Sequence, residues 1–282
     1  MAYIYDATDN AWHWNDVSIS AASDYTPDPT KVLFVGDYST NNFSQWDTVQ
    51  NKLWNSSGAG YDALPPGYPA QVSTDTTYGH AARFEVRDGD VPNFGGGERS
   101  EVQGETAETG GEEGDLRWYE WATKFDATWP NNHASLGWGL VNQWHDNGTG
   151  LSPVGWYVDQ VNDKWSLLIN KQSSPTVFVA GAPFSIIDLP LKRGVWQHIS
   201  MRILWSTSDG TGSVKAWLDG NPLTFTNGST TFNVRTLVPG SGSSVYYKQG
   251  YYRNASMTVT GIVSHTAFRA CTDATGLTVQ VS

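Results

Sequence analysis

The sequence predicts an all-β fold, a sandwich or jelly roll of short strands joined by tight turns. Its 282 residues include 14 tryptophans, 13 tyrosines and 29 glycines but only 16% charged residues, and aromatic residues favour sheets. Residues 118–125 and 198–205 alternate between apolar and polar side chains, which is typical of half-buried strands. Asp219-Gly220-Asn221 follows an apolar run and is a strong turn signal. Together these features favour a two-sheet β architecture.

The first thirty residues are predicted to form an arm or linker outside the compact domain. Residues 24–30 contain two prolines and two aspartates, a turn-rich composition, and the apolar run 32–35 follows them. We therefore expect an arm at 1–30, as a candidate attachment segment, and a β-jelly-roll domain at 31–282. Within that domain we expect a short helix only near residues 41–52 and a loop at 55–67.

Composition excludes several classes of function. A net charge of −11 argues against nucleic acid binding, which needs a basic surface. No stretch is long and apolar enough for membrane insertion. The N-terminus lacks a basic segment followed by an apolar one, so we expect no signal peptide in this chain. We expect an extracellular protein whose signal was removed, or a virion-associated protein released by lysis. The single cysteine, Cys271, is expected in the core.

A first polar segment places four hydrogen-bonding side chains on one face of a predicted strand. In residues 95–105, Arg99, Glu101, Gln103 and Glu105 alternate with their neighbours and therefore point the same way. Such a face is costly to bury unless its members pair with each other or with a ligand. The other interpretation is a solvated outer face that carries an Arg–Glu pair.

A second polar segment contains the histidine with the best chemical context. Gln143 and His145 share one strand face, while Leu140, Asn142 and Trp144 are expected on the other. A histidine titrates near neutrality and can take or relay a proton, and a neighbouring amide can hold a carboxylate. A lone histidine is more often structural, so His145 matters because of Gln143.

A third polar segment, residues 246–253, contains four tyrosines, a lysine and an arginine. Tyr246, Lys248 and Tyr252 are expected on one face, with Gly250 leaving a gap where a substrate could approach the backbone. A phenol beside a fixed positive charge can act in acid–base chemistry. The other interpretation is a tyrosine-rich edge strand.

These three segments, in this order, resemble the β-jelly-roll polysaccharide lyases, the group that includes heparin lyase I, glucuronan lyase and alginate lyases. Arg99-Ser100-Glu101 matches the Arg-x-Glu signature of the group, and Gln143-Trp144-His145 matches Gln-x-His. The run from Tyr246 to Tyr252 matches Tyr-x-Lys-x-Gly-x-Tyr. The resemblance covers roughly residues 31–270 and implies a β-jelly roll whose two antiparallel sheets form a concave glycan-binding cleft.

The resemblance implies β-elimination on a uronic-acid-containing glycan, so the expected partner is an acidic polysaccharide. Arg99 and Gln143 would neutralise the uronate carboxylate and stabilise the developing enolate. His145 or Tyr252 would remove the proton, and Tyr252 would protonate the leaving oxygen. Further substrate-binding residues are expected to be Glu101, Gln103, Lys248, Tyr246 and Arg253. We expect no cofactor and no metal ligand; members of the group sometimes bind structural calcium, but no loop here has the ligand spacing.

Two other functions remain open from the sequence. A jelly-roll glycoside hydrolase needs two carboxylates flanking the scissile bond, and Glu101 and Glu105 come closest, with an amide between them. A non-catalytic glycan-binding or phage tail host-adsorption module would use the same aromatic-lined fold. In that case, or in a virion-borne depolymerase, the N-terminal arm would dock on virion tail proteins.

Overall fold

A computed structural model describes most of the chain. The described residues are 2–6, 11–15, 25–63, 67–130, 138–146, 150–159, 163–174, 177–179, 183–240 and 244–281. Much of the predicted arm, at residues 7–10 and 16–24, and residues 64–66 of the predicted loop lie outside this part of the chain.

The regular secondary structure of the described residues is almost entirely β-strand. The helical elements are one short α-helix, α1 (Thr106–Thr109), and three 3-10 turns at Pro29–Lys31, Gly58–Ala63 and Ala274–Gly276. The strands, in chain order, are β1 (Ala2–Asp6), β2 (Ala11–Asn15), β3 (Val32–Gly36), β4 (Thr48–Asn51), β5 (Asn55–Ser57), β6 (Ala70–Asp75), β7 (Gly79–Val86), β8 (Glu98–Gln103), β9 (Gly111–Glu112), β10 (Leu116–Phe125), β11 (Gly139–Asp146), β12 (Val154–Asp159), β13 (Lys164–Ile169), β14 (Gln172–Ser174), β15 (Val177–Phe178), β16 (Phe184–Pro190), β17 (Gln197–Leu204), β18 (Ser213–Leu218), β19 (Asn221–Pro222), β20 (Phe232–Asn233), β21 (Ser244–Arg253) and β22 (Gly261–Cys271).

Two large antiparallel sheets carry the fold. The first, here called the outer sheet, has the order β19-β18-β17-β10-β22-β7-β6, with β20 on β18 and β3 on β22. The second, here called the cleft sheet, has the order β16-β13-β12-β11-β21-β8-β4-β5, with β9 on β21. Strands that are distant in sequence, such as β8 and β21, become neighbours, as the crossovers of a jelly roll require. The N-terminal strands β1 and β2 pair with each other.

An aromatic core joins the two sheets. Tyr119 and Phe268 of the outer sheet and Trp144 and Tyr247 of the cleft sheet are all fully buried. The rings of Tyr247 and Phe268 stack with centroids 3.9 Å apart, and the Trp144 and Tyr247 centroids are 5.0 Å apart. Large aromatic rings dominate core energetics through their buried area. This packing fixes β11 and β21 from the inside, and the side chains on the opposite face of both strands point away from the core.

Alternation in the sequence predicts the central strands well. β10 and β17 cover the two alternating segments, and their apolar residues Trp121, Ile199 and Met201 face the core. The turn at Asp219 and Gly220 has φ values of 51° and 77°, which suit a tight hairpin turn. Cys271 is buried, in agreement with its expected place in the core.

The expected helix near residues 41–52 is wrong. That region forms turns and then β4, and the α-helix lies at Thr106–Thr109 instead. Asn42 explains part of this, because its side-chain oxygen accepts a hydrogen bond from the Ser44 backbone N–H at 2.9 Å. Asparagine and serine side chains that bond to nearby backbone in this way compete with helix formation.

The chain contacts the sandwich a few residues before the predicted domain start at Lys31. Asp28 N donates to the backbone oxygen of Thr275 at 2.8 Å, and the Tyr25 hydroxyl lies 3.1 Å from the Leu277 oxygen. The exact boundary between arm and domain stays a prediction. Among the described residues, no helix is long and apolar enough to cross a membrane.

Candidate active site

The three polar segments singled out by the sequence lie on adjacent strands of the cleft sheet. β21 pairs with β11 on one side and with β8 on the other. In this register Lys248 lies between Gln143 and Gln103, and Tyr252 lies beside Arg99. His145 pairs with Tyr246 at the far end of the same face. Sheet topology thus collects side chains that are up to about 150 positions apart in sequence.

Glu101 lies at the centre of this group and organises it. Its Oε1 accepts a hydrogen bond from Gln143 Nε2 at 2.7 Å. Its Oε2 lies 3.6 Å from Arg99 Nη1 and 3.6 Å from Lys248 Nζ. Only 2% of Glu101 is exposed, so it holds the other three side chains and has almost no surface for substrate. This placement favours a positioning role over the substrate contact expected from the sequence.

Lys248 is also held inside the group. It is 4% exposed, and its Nζ donates to Gln50 Oε1 at 2.6 Å. Burial lowers the pKa of Lys248, and the charge of Arg99 acts in the same direction, while Glu101 opposes both. The Lys248 ammonium therefore acts on the cleft mainly through Glu101 and Gln50.

Arg99 and Tyr252 form the second part of the site. The guanidinium of Arg99 lies 3.8 Å from the centroid of the Tyr252 ring, a cation–π contact. The Tyr252 ring also meets Trp138 edge-on at 4.7 Å, which fixes the phenol from the other side. Arg99 Nε is buried and has no hydrogen-bond partner among the described residues. A buried, unpaired cationic N–H is costly unless a ligand accepts it.

One ring nitrogen of His145 makes a hydrogen bond, and the other keeps a lone pair that can accept a proton. Its Nδ1 lies 2.5 Å from the backbone oxygen of Asp146, so Nδ1 carries the proton and Nε2 keeps a lone pair. Burial lowers the pKa of His145, and the charge of Lys248 lowers it further against the opposing effect of Asp146. The imidazole is therefore neutral around pH 7, as a general base must be.

Tyr246 stands beside His145 on the neighbouring strand but is not among the residues that line the cleft described below. The two rings stack with centroids 5.9 Å apart. Burial, assisted by the negative charges of Glu101 and Asp146, raises the pKa of Tyr246 to about 12. This phenol is harder to ionise than an ordinary tyrosine, which makes it a poor proton carrier.

A cleft of about 250 Å³ opens over these strands. Gln143, His145 and Tyr252 all line it, and its apolar walls and floor come from Trp138, Leu140, Leu151, Tyr157, Leu168 and Pro183. Leu140 was expected on the face opposite Gln143, and this is wrong. The register of β11 shifts between Leu140 and Asn142, so that the alternation changes there and Leu140 turns to the cleft.

The gap expected at Gly250 is filled by protein. A Cβ on Gly250 would lie 2.2 Å from the Ser100 backbone oxygen and 2.6 Å from the Glu101 Cα, and its φ is 142°. The glycine therefore lets β8 approach β21, not a substrate. Its carbonyl oxygen lies 3.0 Å from Nε2 of the buried His265, which fixes the strand at this point.

Arg253 does not join the cleft, contrary to expectation. It is fully buried, its Nε donates to Glu98 Oε2 at 2.7 Å, and its Nη2 donates to the Met257 backbone oxygen at 3.2 Å. It faces the interior because it alternates with Tyr252 along the strand. Gln103 lies half-buried at the end of β8, and Glu105 is exposed beyond that strand. Glu105 therefore does not share a strand face with Glu101, contrary to the expectation for the first polar segment.

Two residues that sequence reasoning missed support the site. Ser152 donates a short hydrogen bond to Gln143 Oε1, so the Gln143 amide is held at both ends. Gln50 of β4 accepts from Lys248, as described above. Neither belongs to a motif, and no local pattern singles out either residue. Among the described residues, no group of three or more His, Cys, Asp or Glu side chains could hold a metal ion.

The two-sheet fold, with an apolar-walled cleft that carries Gln143, His145 and Tyr252, defines the chain as a β-jelly-roll protein. A family model described as "Polysaccharide lyase" matches residues 38–269, most of the chain. The chain therefore belongs to this family and is a polysaccharide lyase. The resemblance inferred from the three motifs is confirmed.

Comparison with solved structures supports the same fold. An endo-β-1,4-glucuronan lyase from Trichoderma reesei matches with a TM-score of 0.60 at 17% identity, covering 89% of this chain and 100% of that one. The alginate lyase A1-II′, of polysaccharide lyase family 7, matches with a TM-score of 0.54 at 14% identity, covering 79% and 92%. A glycoside hydrolase family 131 catalytic domain from Coprinopsis cinerea matches with a TM-score of 0.51 at 10% identity, covering 85% and 94%. These similarities confirm the predicted all-β jelly roll. A comparison with curated proteins gives no match.

Proposed function

We propose that this polysaccharide lyase cleaves a uronic-acid-containing glycan by β-elimination in the cleft over β8, β11 and β21. One observation carries the proposal. Two carboxylate-binding groups, Arg99 and Gln143, are joined through Glu101. Gln143 lines the cleft together with a neutral imidazole, His145, and a phenol, Tyr252, and Arg99 lies against the Tyr252 ring. Elimination next to a carboxylate needs these functions together.

Charge neutralisation is the first requirement of the reaction. The proton on the carbon beside a uronate carboxylate is very weakly acidic until that charge is compensated and the developing enolate is stabilised. Arg99 supplies the positive charge of its guanidinium beside Tyr252, and Gln143, which lines the cleft, offers the amide N–H that Glu101 does not use. Because Glu101 and Ser152 hold the Gln143 amide at both ends, this N–H is oriented before the substrate arrives.

Proton transfer is the second requirement. His145 Nε2 takes the proton from the carbon as the enolate forms. Tyr252 gives its phenolic proton to the glycosidic oxygen as the bond to that oxygen breaks, because a phenol is a proton donor at neutral pH. The product then carries a carbon–carbon double bond at its new non-reducing end. The alternative, Tyr252 as both base and acid, stays open because Tyr252 lies beside Arg99.

The names of the structural neighbours agree with a polyuronide substrate. One neighbour is named for glucuronan and another for alginate, both polymers of uronic acids. Arg99 and Lys248, set against the single carboxylate of Glu101, leave the centre of this site with an excess of positive charge. That excess suits one substrate carboxylate.

A panel of acidic glycans tests the proposal. The wild-type protein is expected to generate ultraviolet absorbance at the unsaturated product end with at least one polyuronide. Y252F and H145N should each lower kcat by about 100-fold or more, as removal of a general acid or base does. If H145N keeps most of its rate while Y252F collapses, Tyr252 serves as both base and acid. Binding without product in a folded sample would instead favour a glycan-adsorption module.

We further propose that the reaction needs no metal or cofactor, since side chains supply both charge neutralisation and proton transfer. Treatment with a chelator should leave the rate unchanged, and a fall in melting temperature alone would reveal a structural cation.

The proposed site of action is extracellular, where acidic glycans lie. We also propose that residues 1–30 attach the protein to a virus particle. The test is co-sedimentation of the chain with tail particles, with and without these residues.

A further inference from the structure

The cleft continues beyond the catalytic strands into a second compartment. That compartment is lined by Trp138, Tyr157, Val158, Ser166, Leu168, Ser185 and Asp188, and it shares Trp138, Tyr157 and Leu168 with the cleft that holds Gln143 and Tyr252. It lies over β12, β13 and β16, so it follows the sheet away from β11. A sugar unit is about as long as the spacing between neighbouring strands, so a bound glycan would reach it.

Asp188 is the charged residue in this extension. Among the described residues that line the two compartments, Asp188 is the one carboxylate, and no lysine or arginine is present. Hydrogen bonds from Ser166 and Ser185, followed by the charge of Lys164, hold the pKa of Asp188 below its usual value. The carboxylate is therefore ionised across the neutral range. Lys164 Nζ lies 3.4 Å from Asp188 Oδ2 but does not line the compartment.

The hydrogen bonds around Asp188 engage both serine protons, so this group of three side chains presents acceptors to the space. Ser166 Oγ donates to Asp188 Oδ1 at 2.6 Å. Ser185 Oγ lies 2.7 Å from the same oxygen and 2.9 Å from the Ile187 carbonyl oxygen, so its proton is engaged in either case. The remaining lone pairs can accept from sugar hydroxyls or from an amide N–H. A uronate carboxylate is itself only an acceptor and would meet a negative charge here.

We propose that the Ser166–Ser185–Asp188 compartment is a subsite for a sugar without a carboxylate, so that the preferred substrate alternates uronic acid with a neutral or N-acylated sugar. This inference rests on the proposed function, since it assigns the neighbour of the uronate bound at Arg99 and Gln143. A homopolymer of uronic acid would place a carboxylate at both positions. Asp188 then selects against the homopolymer by repulsion of this second carboxylate.

The test compares two polymers with one set of variants. The probes are a polyglucuronate and a polymer in which glucuronate alternates with an N-acetylhexosamine, and kcat/KM is measured on each. The wild-type protein should favour the alternating polymer by roughly fivefold or more, and D188N should raise kcat/KM on polyglucuronate by a similar factor. Asparagine keeps an oxygen for both serine hydroxyls, so the fold is preserved. K164Q should act in the opposite direction and lower kcat/KM on polyglucuronate.

A matched control separates the effect of the charge at Asp188 from the effect of a change in the net charge of the protein. D273N makes the same change in net charge at an exposed helix cap, where asparagine also caps well. It should change neither polymer's kcat/KM. If D188N leaves the preference unchanged, or lowers kcat/KM on polyglucuronate, the subsite assignment is overturned.

Failure of the proposed function has a different signature. In that case the wild-type protein forms no unsaturated product from either polymer. The subsite is then tested by the dissociation constants of wild-type and D188N protein for oligosaccharides of the two polymers. A glucuronate oligosaccharide that binds D188N no more tightly than wild type would sink the subsite by itself.

Discussion

At the scale of single residues, neighbouring groups fix the orientation of each side chain in the site. His145 shows this most simply, because Asp146 engages Nδ1 and leaves Nε2 as the basic nitrogen. Arg99 is oriented by the Tyr252 ring below it, and Gln143 by Glu101 and Ser152. Catalytic groups held in this way need little reorganisation when substrate binds.

The protonation of His145 gives a prediction about pH. Its pKa is lowered from an ordinary value of 6.5, chiefly by burial, so the neutral form persists to lower pH than in an exposed histidine. The acid limb of kcat/KM should therefore have its midpoint below pH 6.5. The measurement is the pH profile of kcat/KM on the best substrate of the panel. A midpoint above that ordinary value, or an acid limb that survives unchanged in H145N, would remove His145 from the role of base.

Ser152 gives a prediction about positioning. S152A leaves the buried Gln143 oxygen without its donor, which costs about 1–3 kcal/mol and lets the amide rotate away from the substrate carboxylate. We expect kcat to fall about tenfold, the equivalent of the lower part of that range. S152T keeps the hydroxyl and should restore most of the rate. Equal losses in S152A and S152T, or a loss explained by unfolding in a thermal melt, would show that the hydroxyl does not orient Gln143.

At the scale of elements, β21 is the strand on which the site depends. It lies between β8 and β11, its inward residues Tyr247 and Tyr251 are fully buried in the aromatic core, and Tyr252 on its other face lines the cleft. Its close approach to β8 at Gly250 brings Glu101 within reach of Lys248 and Gln143. The distances from Glu101 to Lys248 and Gln143 thus depend on the close backbone contact at Gly250.

Gly250 gives a prediction at this scale. G250A would place a Cβ 2.2 Å from the Ser100 oxygen and force a φ of 142° on an L-residue, so we expect at least about 3 kcal/mol of lost stability. The control is G114A, because Gly114 also has a positive φ of 89° but nothing within 4 Å of the position that a Cβ would take. G114A should cost only about 1–2 kcal/mol. Urea unfolding of both variants measures the difference, and equal losses would show that the strand approach is not tight.

Elements with a regular period were predictable from the sequence, and departures from the period were not. Alternation predicted β10 and β17, and it placed Gln143 and His145 on one face of β11. Leu140 broke the rule because a register shift is a property of the paired strands, not of one strand. Arg253 was misplaced because an arginine at the end of a polar run suggests solvent, whereas its partner Glu98 lies on another strand. Ser152 and Gln50 lacked any signal, since their role exists only across the folded sheet.

At the scale of the whole molecule, an acidic protein is proposed to bind an acidic polymer. The chain carries a net charge of −11, yet the site itself holds two cations against the carboxylate of Glu101. Long-range repulsion therefore opposes approach of the substrate, whereas short-range attraction acts inside a partly buried cleft. Salt screens the first effect far more than the second, because buried pairs are screened weakly.

This balance gives a prediction about ionic strength. Raising salt from about 0.01 M to about 0.1 M shortens the Debye length from about 30 Å to about 10 Å, and kcat/KM on the acidic polymer should rise. Steady-state rates at several salt concentrations, with an uncharged osmolyte as control, provide the test. A monotonic fall with salt would mean that attraction to exposed cations, not repulsion by the acidic surface, controls encounter.

The ratio of two product signals tests β-elimination by this protein most directly. Each β-elimination creates one new reducing end and one unsaturated, ultraviolet-absorbing end, whereas each hydrolysis creates a reducing end without a double bond. For the wild-type protein on its best acidic glycan, both signals should grow in a one-to-one ratio, and both should vanish together in Y252F. New reducing ends that accumulate without absorbance, and persist in Y252F, would contradict elimination in the cleft lined by Gln143, His145 and Tyr252.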